Sequence, residues 1–138
     1  MDTSALVKLL VDEPGTKEAQ LAYSDADGVR TTAIAHVEAT AALARMRKGD
    51  RLTTAQLRRA LDDLEKLWRG LYIHAVSEAL LSQAAEAARA HSLRAYDAVH
   101  LAGAASFAAG EELDFACWDK ELREAARKQS FVLIPQQL

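Results

Sequence analysis

Short β-branched or aromatic runs alternate along the chain with longer stretches rich in alanine and leucine, whose apolar positions recur every three or four residues. Alternation of this kind is the sequence form of a βαβ protein with a parallel sheet, because each strand is followed by a helix that carries the chain back across it. Strands are predicted near residues 28–32, 71–76, 113–117 and 131–134, with a first strand ending at Met1 or Asp2. A central strand normally has about five residues. The expectation is therefore either a chain that starts upstream of Met1 or a sheet with one stunted member.

Helices are predicted at residues 4–11, 16–24, 33–47, 53–68, 77–91, 96–109 and 120–128. The clearest is 53–68, where Thr53 and Gln56 have the spacing of a capping box. Its apolar stripe is Leu57, Ala60, Leu61, Leu64, Leu67 and Trp68, while Arg58, Arg59, Asp62, Asp63 and Glu65 face away. Gly49, Gly70 and Gly110 follow predicted helices, where a left-handed cap favours glycine. No composition break, low-complexity tract or repeat divides the 138 residues, so a single domain over 1–138 is expected.

Composition narrows the chemistry. Hydrophobic residues make up 50% and charged ones 27%, as in a folded globular protein. Charges interrupt every apolar run before the roughly 20 residues of a membrane span, and no basic-then-apolar leader opens the chain, so no membrane and a cytoplasmic location are expected. Cys117 is the only cysteine, which excludes an internal disulfide or a thiolate zinc cage and suits a reducing compartment. Seventeen basic against twenty acidic residues leave a net charge of −3, so any nucleic-acid contact must be local rather than a matter of bulk charge. Basic residues cluster at Arg45, Arg47, Lys48 and Arg51, at Arg58 and Arg59, and at Arg123, Arg127 and Lys128, where they read first as solvated helix faces. The six glycines form neither a dinucleotide fingerprint nor a phosphate-binding loop, and no nucleophile elbow is present.

Four acids stand at corresponding places in this pattern. Asp2 and Asp119 directly follow strands, Glu38 lies in the first turns after one, and Asp97 opens a helix. In an open α/β sheet such positions converge on the crevice at the carboxyl ends of the strands. Carboxylates packed there repel one another and call for a cation. An all-oxygen set favours Mg²⁺ or Mn²⁺, which can activate water toward a phosphodiester. Each acid also has a local reading: Asp2 and Asp119 as helix N-caps, Asp97 as a complement to a helix dipole, Glu38 as an exposed helix residue. Position alone leaves both open. A rival site pairs Asp97 with His100, or His36 with Glu38, around a softer metal. His74 and His91 carry no spacing signal, and Trp68 and Trp118 can stack on a base or be buried in a core or interface.

The opening Asp2-Thr3-Ser4-Ala5-Leu6-Val7-Lys8-Leu9 resembles the start of PIN-domain toxins of the bacterial VapBC type. Thr32-Ala33-Ile34-Ala35-His36-Val37-Glu38 resembles their second motif, Tyr96-Asp97-Ala98-Val99-His100-Leu101-Ala102-Gly103-Ala104 the third, and Phe115-Ala116-Cys117-Trp118-Asp119-Lys120-Glu121-Leu122-Arg123-Glu124-Ala125-Ala126 the fourth. The resemblance implies a three-layer α/β/α PIN-like domain with a short, mostly parallel central sheet of four or five strands. It further implies a Mg²⁺- or Mn²⁺-dependent endoribonuclease, usually a homodimer, held inactive by a cognate VapB-like antitoxin whose tail crosses the site. Asp2, Asp97 and Asp119 would face the metal, and Glu38 would bind it or orient the attacking water. Thr3 or Ser4 would support the site through a hydroxyl, or through a backbone N–H suited to a phosphate oxygen. The apolar faces of helices 33–47 and 53–68 are candidates to hold the antitoxin.

Two features depart from the family pattern. Cys117 stands where threonine or serine is usual, a poorer hydrogen-bonding group that prefers burial, and the first strand is nearly absent. The histidine of the third motif, here His100, reads as packing or hydrogen bonding. Two alternatives remain: a PIN-like domain with a weakened metal site that binds RNA or protein without cutting, and a phosphatase or DNA nuclease using the same acids.

Overall fold

A computed structural model of the chain describes residues 1–108 and 112–138. Helices α1 (Thr3–Leu10) and α2 (Thr16–Ser24) lead into β1 (Arg30–Thr32), α3 (Ile34–Lys48), α4 (Thr54–Trp68) and β2 (Tyr72–His74). Then follow α5 (Glu78–His91), α6 (Ala95–Phe107), β3 (Asp114–Ala116), α7 (Lys120–Lys128) and β4 (Val132–Ile134). The class is α/β, rich in helix, with short parallel strands. No helix among the described residues is long and apolar enough to cross a membrane.

All four strands predicted after the N-terminus form, each trimmed to three residues, but they do not join in one sheet. β1 pairs with β2 in parallel, Thr31 opposite Ile73, and β3 pairs with β4 in parallel, Phe115 opposite Leu133. Among the described residues the strands make two two-stranded sheets instead of the expected four or five strands side by side. Met1 and Asp2 lie between β1 and β3. The Met1 amino group donates to the Arg30 carbonyl at 2.8 Å, and the Thr31 hydroxyl donates to the Met1 carbonyl at 3.0 Å. The Asp2 N–H donates to the Ala116 carbonyl at 3.1 Å. A cavity of about 450 Å³ lies beside them, lined by Val29, Phe107, Phe115 and Ala116 among others.

The seven helices fall where apolar periodicity places them. Thr53 and Gln56 form the capping box in both directions. The glycine caps are a correction. Gly49 has φ −90°, and the left-handed turn there falls on Asp50 at φ 55°. Gly70 is not left-handed either, since Gly15 is the one described glycine with positive φ, and Gly110 lies outside the described residues. Ser92 supplies the left-handed cap of α5.

The main core packs α5, α6 and α7 onto β3 and β4, through Leu80, Val99, Leu101, Phe115, Leu122 and Leu133 among others. Each fully buried leucine contributes about 1.5–3 kcal/mol. A smaller cluster of Leu6, Val29, Ala35 and Leu71 ties α1 to β1 and the start of α3. Helix α6 is buried from Ala98 to Gly103, and a side chain at Gly103 would collide with Thr32 of β1. Arg123, expected on a solvated basic face, is instead 3% exposed. Its guanidinium donates to the carbonyls of Cys117, Pro135 and Gln136 at 2.7, 2.6 and 3.2 Å. It thereby clamps the chain after β4 onto the turn between β3 and α7.

Candidate active site

Asp2 sits at the N-cap of α1 and is 3% exposed. Its Oδ1 accepts the Ala5 N–H at 3.1 Å and the Ser4 hydroxyl at 2.8 Å. The Cys117 thiol donates to Oδ2 at 3.4 Å. Burial, reinforced by the neighbouring Asp2 carboxylate, raises the Cys117 pKa and keeps this thiol a donor. Ser4 Oγ also accepts the Trp118 N–H at 2.7 Å, which ties the start of α1 to the β3–α7 turn. The hydroxyls of Thr3 and Ser4 are therefore committed to carboxylates rather than held open for a phosphate.

Glu38 projects from the second turn of α3 toward the same place. The Thr3 hydroxyl donates to its Oε2 at 2.6 Å and His100 Nε2 lies 2.7 Å from that oxygen. His100 is 4% exposed, with Nδ1 3.0 Å from the Thr32 hydroxyl. Nε2 donates to Glu38, and Nδ1 meets the Thr32 hydroxyl. Burial alone would push the Glu38 pKa up, but the His100 and Thr3 hydrogen bonds and the charges of His100 and Arg45 outweigh it, and the carboxyl sits below its usual range. With both ring nitrogens engaged, His100 has nothing left for a softer metal. His36 turns away to Glu65, at 2.8 Å, and packs edge-on against Trp68.

Asp97 lies in the first turn of α6, and Asp119 is the N-cap of α7. Asp119 Oδ1 accepts the Leu122 N–H at 3.0 Å. Its Oδ2 points at Arg94, whose guanidinium donates to it at 2.8 Å and to Asp97 Oδ2 at 2.9 Å. Burial and then the negative charges of Asp119 and Asp2 raise the Asp97 pKa, against the opposing pull of Arg94.

The N-cap readings of Asp2 and Asp119 thus hold: in each the cap bond falls on Oδ1, while Oδ2 meets Cys117 in Asp2 and Arg94 in Asp119. The acids are not drawn into a closed cage, since no three His, Cys, Asp or Glu side chains among the described residues gather as a ready metal site. The donor set is nevertheless all oxygen, and Asp97 with Asp119 already share one cation, the arrangement a hard divalent ion would require. None of the four acids lines the cavity between the two sheets. Sequence reasoning missed Arg94, Thr32 and the double role of Ser4. Only Arg94 had a signal, its spacing of three residues before Asp97. Trp118, weighed as a base-stacking residue, packs under the Lys8 ammonium and against Gly15.

The description PIN domain fits residues 1–128. Ribonuclease VapC45 and Ribonuclease VapC49 of Mycobacterium tuberculosis are each 36% identical over 138 residues, covering 99% of this chain and 94% of the relative. Ribonuclease VapC47 of the same organism is 34% identical over 136 residues, covering 96% of this chain and 92% of the relative.

Proposed function

Because the chain belongs to the PIN-domain family, alongside relatives named VapC ribonucleases, we propose that it is a Mg²⁺- or Mn²⁺-dependent endoribonuclease. The observation that carries this reading is the pairing of Asp97 and Asp119 around a single positive charge, beside a buried Asp2 and an anchored Glu38. Asp97, Asp119 and Asp2 would hold the ion. When bound, it supplies charge neutralisation at the phosphate and lowers the pKa of a water molecule. Glu38, held through Oε2 by Thr3 and His100, would orient the attacking water and accept its proton. In-line attack of that water would form a new P–O bond as the bond from phosphorus to a ribose oxygen breaks, the leaving oxygen taking a proton from solvent.

The chain would act as the toxin of a toxin–antitoxin pair, as a homodimer whose site a VapB-like antitoxin segment covers. A weakened, non-cutting domain was the alternative that Cys117 suggested. Its thiol donates to Asp2 as a hydroxyl would, which favours a working site.

Mg²⁺-dependent cleavage of RNA by wild type, Asp2→Asn and Asp97→Asn tests the reading. Each variant is expected to lose on the order of a thousandfold in rate. Equal cleavage by all three overturns it, and a parallel panel of single-stranded DNA and phosphomonoesters separates an RNase from other phosphoester hydrolases.

A further inference from the structure

Arg94 is the residue whose position the proposed reaction leaves unexplained. It stands at the N-cap of α6, its side chain is 68% exposed, and it reaches inward to carboxylates that are 16% and 28% exposed. Both of its bonds end on the Oδ2 atoms of Asp97 and Asp119. Asp119 Oδ1 is already spent on the α7 cap, so Oδ2 is the oxygen this residue has to offer an ion. A guanidinium and a divalent cation cannot both own it.

On that basis, and resting on the nuclease reading above, we infer that Arg94 is an exchangeable counter-ion. It holds Asp97 and Asp119 together before metal arrives, is displaced by the metal, and then binds a backbone phosphate of the RNA. Without a cation, two carboxylates close enough to share one guanidinium repel each other and the substrate. The long, solvent-facing arginine relieves that repulsion without closing the site. Displacement is cheap, because ion pairs made by an exposed side chain are weak. Once released at the mouth of the crevice, the planar fork matches a phosphate in two-point contact. Metal would thus free the group that recognises RNA, and the two ligands would bind with positive coupling, each tightening the other by the same factor.

The test is calorimetric Mn²⁺ titration of wild type, Arg94→Gln and Asp119→Asn, with and without a short RNA carrying 2′-O-methyl groups to prevent cleavage. Arg94→Gln is expected to bind Mn²⁺ roughly three- to tenfold more tightly than wild type when RNA is absent. In wild type, RNA should tighten Mn²⁺ binding by roughly five- to tenfold, and in Arg94→Gln that gain should vanish. Mn²⁺ binding by Arg94→Gln that is equal to or weaker than wild type, or an undiminished RNA effect, overturns the role of Arg94 while leaving the nuclease reading intact. Wild type that binds Mn²⁺ no better than Asp119→Asn overturns both. Thermal unfolding followed with and without Mn²⁺ provides a second readout, in which the stabilisation by metal should be larger in Arg94→Gln than in wild type.

Discussion

The two pairs of acids meet the same electrostatic problem in opposite ways. On the α1–α3 side, Asp2 and Glu38 are steadied by short, fixed donors: Ser4, the Ala5 amide and the Cys117 thiol for one, Thr3 and His100 for the other. On the α6–α7 side, Asp97 and Asp119 depend on one long, exposed side chain. Neutral donors lock a carboxylate in place and leave its charge uncancelled, whereas a mobile cation cancels charge and can be exchanged. The first pair rests on several short donors, the second on one shared guanidinium.

Breaking the support of the first pair should have the larger effect. His100→Ala removes the shared donor to Glu38 and leaves the Thr32 hydroxyl without its partner in a buried setting, so a loss of about 2–4 kcal/mol is expected in urea unfolding. Unfolding at wild-type urea concentrations would show that the network is incidental.

The pH response should separate the pairs next. A carboxyl whose folded-state pKa is lowered stabilises the fold above its unfolded value and loses that contribution as pH falls through the lowered value. For Glu38 the loss therefore falls below pH 4.5, the unperturbed value. Asp97 is shifted the other way by burial and by its acidic neighbours, so its ionised form opposes folding at neutral pH. Asp97→Asn should accordingly melt higher than wild type in metal-free buffer at pH 7 while losing Mn²⁺ binding. A lower melting temperature would mean that the Arg94 ion pair outweighs burial.

The smallest effect is expected at Cys117. Cys117→Ser keeps a donor to Asp2 and should change Mn²⁺ affinity by less than about threefold, whereas Cys117→Val removes the donor and should weaken it by roughly tenfold. Equal affinities in the two variants would show that the thiol only fills space.

Much of this was readable in the sequence because it is periodic or local. The α4 stripe and its Thr53–Gln56 cap follow from spacing alone, and the caps at Asp2 and Asp119 from residue type after a strand. The acids could be named from their places in the motifs. What stayed hidden depends on distance along the chain. The Arg94–Asp119 pair joins residues 25 apart and the His100–Thr32 contact residues 68 apart, neither of which leaves a periodic trace. The burial of Arg123 was hidden for a similar reason, since backbone carbonyls satisfy it and no acidic partner in the sequence announces them.

Helix α6 gives this arrangement a common ruler. Arg94, Asp97, His100 and Gly103 follow one another at intervals of three residues, or about 4.5 Å of rise per step. The mouth cation, the acid, the imidazole that steadies Glu38 and the close approach to β1 are thus graduations on one rod. One residue inserted ahead of Gly103 would turn everything beyond it by about 100°. The segment can exchange side chains, but its length cannot drift.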